Sequence, residues 1–198
     1  MSRIPGISHN YSVLDQIGRL SSFGFYLSFA AGGDDGEFTV NGFDSRRFRG
    51  PLNYEPVDSS SGYWQFSVAQ GSFTAGDRSG DFGAINTAIA DTGTSLVILP
   101  TPMAKSIWKG TGAHANPDGT ASIDCNAQPP NVVFTFSNTP YAVPSSAYIL
   151  PNGDGTCISG FSGGADPSDQ DPNPPAIFGD VFLRVWYSHF DVNNSQVG

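Results

Sequence analysis

An aspartate set between two apolar runs, Ile89-Ala90-Asp91-Thr92-Gly93-Thr94-Ser95-Leu96-Val97-Ile98-Leu99, is the part of this 198-residue sequence best suited to chemistry. An Asp-Thr-Gly triplet alone arises by chance in roughly a few per cent of chains this long at average residue usage. It also suits an ordinary β-turn in which the aspartate caps its own backbone. The surroundings favour another reading. Nearly every neighbour from Thr87 to Leu99 is apolar or small, so the loop is expected to be buried. A carboxylate kept there must be hydrogen-bonded or share a charge or a proton, which makes it a candidate acid or base. Gly93 permits a tight turn that brings its N–H to the carboxylate, and the hydroxyls of Thr92 and Thr94 can donate further bonds.

Other candidate clusters carry less. Gly160-Phe161-Ser162-Gly163-Gly164 matches the Gly-x-Ser-x-Gly pattern of a serine nucleophile. That pattern needs a strand before it and a helix after it, whereas Ala165, Asp166 and Pro167 continue into a Pro-rich loop, and none of His9, His114 and His189 has a local signature as its base. Asp166, Asp169 and Asp171 lack EF-hand spacing and a bidentate glutamate, so a solvated loop is expected and no metal. Cys125 and Cys157 have no histidine or further cysteine at metal-ligand spacing, which favours a single disulfide over zinc. Sequons at Asn10 and Asn193 point the same way, toward an oxidising secretory setting.

The elements that must hold Asp91 read as mainly β, with a few short helices. Twenty-four Gly and fifteen Pro, 14% charged residues and many β-branched and aromatic runs suit short strands and turns. A hairpin is expected from Phe23–Phe29 and 37–40 around a Gly-Gly-Asp-Asp-Gly turn at 32–36. Strands follow at 52–57, 63–69, 71–75, 88–91, 96–99, 131–136, 141–144 and 186–191. A helix is expected over 102–109, with Thr101 as N-cap, Pro102 at its first position, Gly110 as its stop, and Ile107 and Trp108 facing inward. A short helix is expected at 181–185, a second through Leu14, Asp15 and Ile17, and a loop from Gly160 to Pro175. A net charge of -9 argues against phosphate backbones and anionic membrane surfaces. The sequence has no apolar run of the ~18 to 20 residues that span a bilayer, and its first twenty residues lack the pattern of a signal peptide. Arg46, Arg47 and Arg49 read as a solvated turn.

Ala88-Ile89-Ala90-Asp91-Thr92-Gly93-Thr94-Ser95-Leu96 resembles the second active-site motif of the pepsin-like aspartic proteases, and Ala176-Ile177-Phe178-Gly179-Asp180-Val181-Phe182-Leu183-Arg184 resembles the apolar-apolar-Gly-Asp motif beside it in their C-terminal lobe. Gly62-Tyr63-Trp64, the cysteine pair and the closing Phe190-Asp191 are similar to fungal, penicillopepsin-like members. The resemblance implies a single C-terminal lobe of a bilobal fold over residues 20–198, with residues 1–19 leading in from the other lobe. It implies an endopeptidase in which two aspartates, one from each lobe, activate a water against a peptide bond. On that pattern Asp91 is the catalytic carboxylate, and Thr92 bonds across to the partner lobe. Thr94 supports Asp91 and borders the polypeptide substrate, Gly93 offers its carbonyl to the peptide backbone, and Ile89 and Ile177 line subsites. Asp180 is expected to be structural, tied to nearby backbone. The pattern implies no cofactor, and a secreted or vacuolar location for the full-length form.

The sequence holds one Asp-Thr-Gly and nothing similar to the tyrosine-bearing flap of the other lobe. Pro5-Gly6-Ile7-Ser8 resembles a segment near the end of that lobe, so the chain is expected to begin inside a longer frame. Two alternatives accompany this reading: an inactive fragment or binding module on the same scaffold, and a homodimer in which two copies of Asp91 meet on a two-fold axis. An isolated lobe is also expected to expose apolar surface and to associate.

Overall fold

Alternation of apolar and polar side chains builds most of this chain. In Val132–Phe136 every second residue is buried. The strand pairs with Thr139–Val143 across a turn in which Ser137 (φ 44°) and Asn138 (φ 67°) both take left-handed backbone, the geometry that suits the twist of a tight hairpin. The computed structural model describes residues 20–28, 35–83 and 85–198. The expected lead-in segment with its short helix, the Asn10 sequon and residues 32–34 of the first turn lie outside the described residues.

The strands form four sheets among the described residues. One runs Gly36–Val40, Ser22–Leu27, Ser188–Asp191, Gln196–Val197, Glu55–Pro56, antiparallel throughout; its first pair is the expected hairpin. A second runs Ile149–Pro151, Cys157–Ser159, Ala121–Ile123, His114–Ala115, and a third Thr139–Val143, Val132–Phe136, Ser72–Ala75, Arg78–Asp81. The fourth is mixed, in the order Phe161–Gly163, Val97–Leu99, Ala176–Phe178, Thr87–Ala90, Gln65–Ser67. In it Ala176–Phe178 lies between the two strands that flank Asp91, parallel to Thr87–Ala90 and antiparallel to Val97–Leu99. Mainly β with few helices is therefore the observed class, as expected. No helix among the described residues is long and apolar enough to cross a membrane.

Aromatic rings fill the centre. Phe178 meets Phe134 at 5.0 Å, Phe136 at 5.2 Å and Phe182 at 4.9 Å, each edge to face, the preferred geometry for rings with negative faces and positive edges. A second cluster stacks Phe23 on Phe190 at 4.8 Å beside Trp64. Cys125 and Cys157 form the expected disulfide.

Three expectations need correction. The long helix spans Thr101–Thr111 and stops at Gly112, whose φ is 75°, so Gly110 lies inside it and Thr101 is its first residue. The cap comes from a distant loop: Asp166 accepts the Thr101 N–H at 2.7 Å and the Thr101 hydroxyl, satisfying donors that a helix start leaves unpaired. Gly110 serves packing, since a Cβ there would stand 2.0 Å from the Ala75 carbonyl oxygen. Ile107 and Trp108 are buried as expected, with Trp108 Nε1 donating to the Phe161 carbonyl at 2.9 Å.

The expected loop from Gly160 begins as a strand. Phe161–Gly163 is wholly buried and pairs in parallel with Val97–Leu99. Ser162 sits inside that strand with its hydroxyl 2.9 Å from the carbonyl of Gly119, so no strand-to-helix turn presents it as a nucleophile. Arg78–Asp81 is a polar strand with only hairpin pairing to Ser72–Ala75 on one side, and its lack of apolar alternation hides it from sequence. The strands expected at 52–57, 63–69 and 186–191 shorten to Glu55–Pro56, Gln65–Ser67 and Ser188–Asp191.

Candidate active site

Asp91 follows directly on the buried strand Thr87–Ala90, and its backbone N–H continues the ladder by donating to the Phe178 carbonyl at 3.1 Å. The chain then turns through Thr92, Gly93, Thr94 and Ser95 and returns as Val97–Leu99. The start of the short helix Asp180–Leu183 holds this loop: the N–H of Asp180 donates to Thr94 O at 2.8 Å and that of Val181 to Ser95 O at 3.0 Å. Gly179 makes the approach possible, because a Cβ there would lie 2.1 Å from Thr94 O and 2.5 Å from Leu96 O. The two motifs that stand far apart in sequence are thus one physical unit, in which the second clamps the first.

Within the loop each carboxylate oxygen of Asp91 accepts one hydrogen bond. Oδ1 takes the Gly93 N–H at 3.0 Å and Oδ2 takes the Thr94 hydroxyl at 2.6 Å. Thr94, not Thr92, supplies the hydroxyl; Thr92 is exposed, and no bond from it reaches the carboxylate among the described residues. Each oxygen keeps lone-pair capacity to accept from another proton donor. The expectation of a buried loop is corrected: the flanking strands are buried, but Thr92, Gly93 and Ser95 are exposed and Asp91 is half-buried. The apolar neighbours counted in sequence belong to the strands, while the turn they support opens onto the surface.

Asp180 is a second carboxylate that feels the charge of Asp91. Burial raises its pKa first, Arg184 pulls it down, and the charge of Asp91 raises it further. Its Oδ1 is buried with no hydrogen-bond partner among the described residues. The expected tie to neighbouring backbone is therefore made by its amide, not by that carboxylate oxygen.

Ile89 and Ile177 stand opposite one another in register on parallel strands, and Ile98 stands opposite Ile177 on the other side. Ile89 is buried while Ile177 and Ile98 are half-buried, so the row Ile98, Ile177, Ile89 forms one apolar ridge across the central strands. Sequence reasoning does not single out Ile98, although the alternation of Val97, Ile98 and Leu99 carries the signal. Phe38, Val40, Phe43, Tyr63 and Val192 are the large apolar side chains left exposed among the described residues.

Comparison with known proteins bears on the same residues. The sequence model of the family described as "Asp: Eukaryotic aspartyl protease" matches residues 9–198. The chain is 37% identical to Rhizopuspepsin-1 of Rhizopus niveus over 178 residues, covering 88% of this chain and 42% of that protein. It is 39% identical to Rhizopuspepsin-3 of the same organism over 171 residues, covering 85% and 41%. Against Gastricsin of Oryctolagus cuniculus it is 37% identical over 187 residues, covering 92% and 47%. The chain spans less than half the length of these relatives.

Proposed function

Because the chain belongs to the eukaryotic aspartyl protease family, we propose that it is the C-terminal lobe of an aspartic endopeptidase and that Asp91 is one member of its catalytic pair. The observation that carries this reading is the exposed loop in which Asp91 is held from both oxygens yet open to a further donor. The second aspartate and a covering flap come from an N-terminal lobe, reached through residues 1–19.

In the assembled site the two carboxylates share one proton, since like charges at close range do not both ionise easily. A water between them is the nucleophile. One carboxylate takes its proton as it attacks the peptide carbonyl, while the other protonates the carbonyl oxygen, giving a tetrahedral intermediate with no covalent enzyme species. Thr94 fixes the Asp91 carboxylate and borders the substrate, Thr92 reaches to the partner lobe, and Gly93 offers its carbonyl to the substrate backbone. Ile89 and Ile177, with Ile98 beside them, supply apolar subsite surface. The pair works only while singly protonated, so activity is highest at acid pH and falls as rising pH ionises both groups. The full-length enzyme is secreted or vacuolar, which suits the disulfide.

The test is cleavage of a quenched fluorescent peptide across acid pH by this chain alone and with an N-terminal lobe added. Activity that needs the second lobe and is lost by about a thousandfold in Asp91→Asn supports the proposal. Cleavage by the chain alone, rising with its concentration, would replace it with the two-copy dyad. Folded protein inert in both conditions would leave a non-catalytic binding module.

A further inference from the structure

The turn between Ser188–Asp191 and Gln196–Val197 carries a group that peptide hydrolysis does not use. Asn193-Asn194-Ser195 has the Asn-x-Ser pattern of an N-glycan acceptor, and the structure separates the roles of its two asparagines. Asn194 is committed to the fold: its side-chain amide donates to Asp191 Oδ2 at 2.7 Å and its backbone N–H to Asp191 Oδ1 at 3.1 Å. Gln196 adds a bond to the same Oδ2 at 3.0 Å. Asn193 is held only through its backbone, whose N–H donates to Ser21 O at 3.1 Å beside that of Val192 at 2.9 Å. Its carboxamide makes no hydrogen bond among the described residues, and the stretch from Val192 to Ser195 is exposed. The turn therefore presents one free asparagine amide on a pinned backbone, at a place where an added group displaces no packed side chain.

We propose that Asn193 is a site of N-linked glycosylation, taking its oligosaccharide from a lipid pyrophosphate donor. The Asn193 Nδ2 forms a bond to C1 of the first sugar as the bond from C1 to the pyrophosphate oxygen breaks. The lipid pyrophosphate departs, and the amide loses one proton to a base of the transferase. The Ser195 hydroxyl completes the acceptor pattern. The disulfide between Cys125 and Cys157 suits an oxidising compartment, and this proposal rests on the secretory passage put forward above.

The full chain, secreted from a yeast host behind a leader, tests it by site-resolved peptide mass spectrometry before and after glycosidase treatment. The expected result is a glycan on Asn193 that disappears in Asn193→Gln and in Ser195→Ala and persists in Asn194→Gln. Peptide-level assignment keeps the Asn10 sequon apart from this site. Secreted, disulfide-bonded protein with Asn193 unmodified would overturn the glycan proposal and leave the secretory reading standing. A chain retained inside the cell with both cysteines reduced would overturn the secretory reading and the glycan proposal with it.

Discussion

At the scale of single residues, the 2.6 Å bond from the Thr94 hydroxyl to Asp91 Oδ2 is the shorter of the two that hold the carboxylate proposed as catalytic. Thr94→Ala in the two-lobed enzyme leaves Oδ2 without that donor and is expected to cost about 2 kcal/mol, or roughly 30-fold in kcat/KM. Thr94→Ser retains the hydroxyl and should restore most of the activity. A rate loss equal in both variants would show that the methyl group, not the bond, matters. Asp180 invites a separate measurement. Its raised pKa means that the native state holds the proton more tightly than the unfolded chain. Its contribution is present below the ordinary value of 3.8 and lost as pH rises through the higher folded value. Asp180→Asn is therefore expected to raise the urea midpoint at neutral pH, with the gain shrinking as the medium is acidified.

Among the elements, the helix Thr101–Thr111 shows where local and long-range physics part. Helix propensity alone favours Gly110→Ala by about 1 kcal/mol. A Cβ 2.0 Å from the Ala75 oxygen reverses the sign, so the variant is expected to lose about 2–3 kcal/mol in chemical denaturation. Asp166→Ala removes the borrowed cap and is expected to cost about 1 kcal/mol; an unchanged midpoint would refute its capping role. These two positions also mark what sequence could reveal. The Asp91 loop was legible because its strands, its glycine and its threonines are contiguous, and the cysteine pair because only one pairing exists. The borrowed cap, the strand Phe161–Gly163 and the packing role of Gly110 were not, because each depends on a partner distant in the chain. The loop was misread as buried because the same apolar residues serve strands whose turn faces outward.

For the molecule as a whole, acid is both the proposed working condition and the main threat to the fold. His189 is buried, its Nδ1 lies 2.7 Å from the Tyr54 hydroxyl, and its Nε2 has no partner among the described residues. Burial lowers its pKa from 6.5, against the opposing pull of Asp191. The unfolded chain thus takes up a proton before the native one, and stability falls as pH drops from 6.5 through the lower folded value. Asp191 acts at lower pH. Burial raises its pKa, but bonds from Asn194 and Gln196 outweigh burial and hold it below 3.8. Its contribution is present above 3.8 and lost as pH falls through the folded value. Thermal unfolding across pH is expected to show two declines, the upper one flattened in His189→Gln. A wild-type profile level from 6.5 to 5 would contradict the assignment to His189. Phe38, Val40 and Tyr63, exposed on this lobe, predict concentration-dependent association that an added N-terminal lobe suppresses, measurable by sedimentation.

The insertion of Ala176–Phe178 between the strands that flank Asp91 also sets an order of events during synthesis. The Asp91 loop leaves the ribosome well before Gly179, Asp180 and Val181, whose backbone clamps it. A chain released before residue 181 carries the whole Asp-Thr-Gly motif and lacks the clamp that shapes it. The Asp91 loop thus gains its clamped shape only once the chain has been made through Val181, some ninety residues after the loop itself.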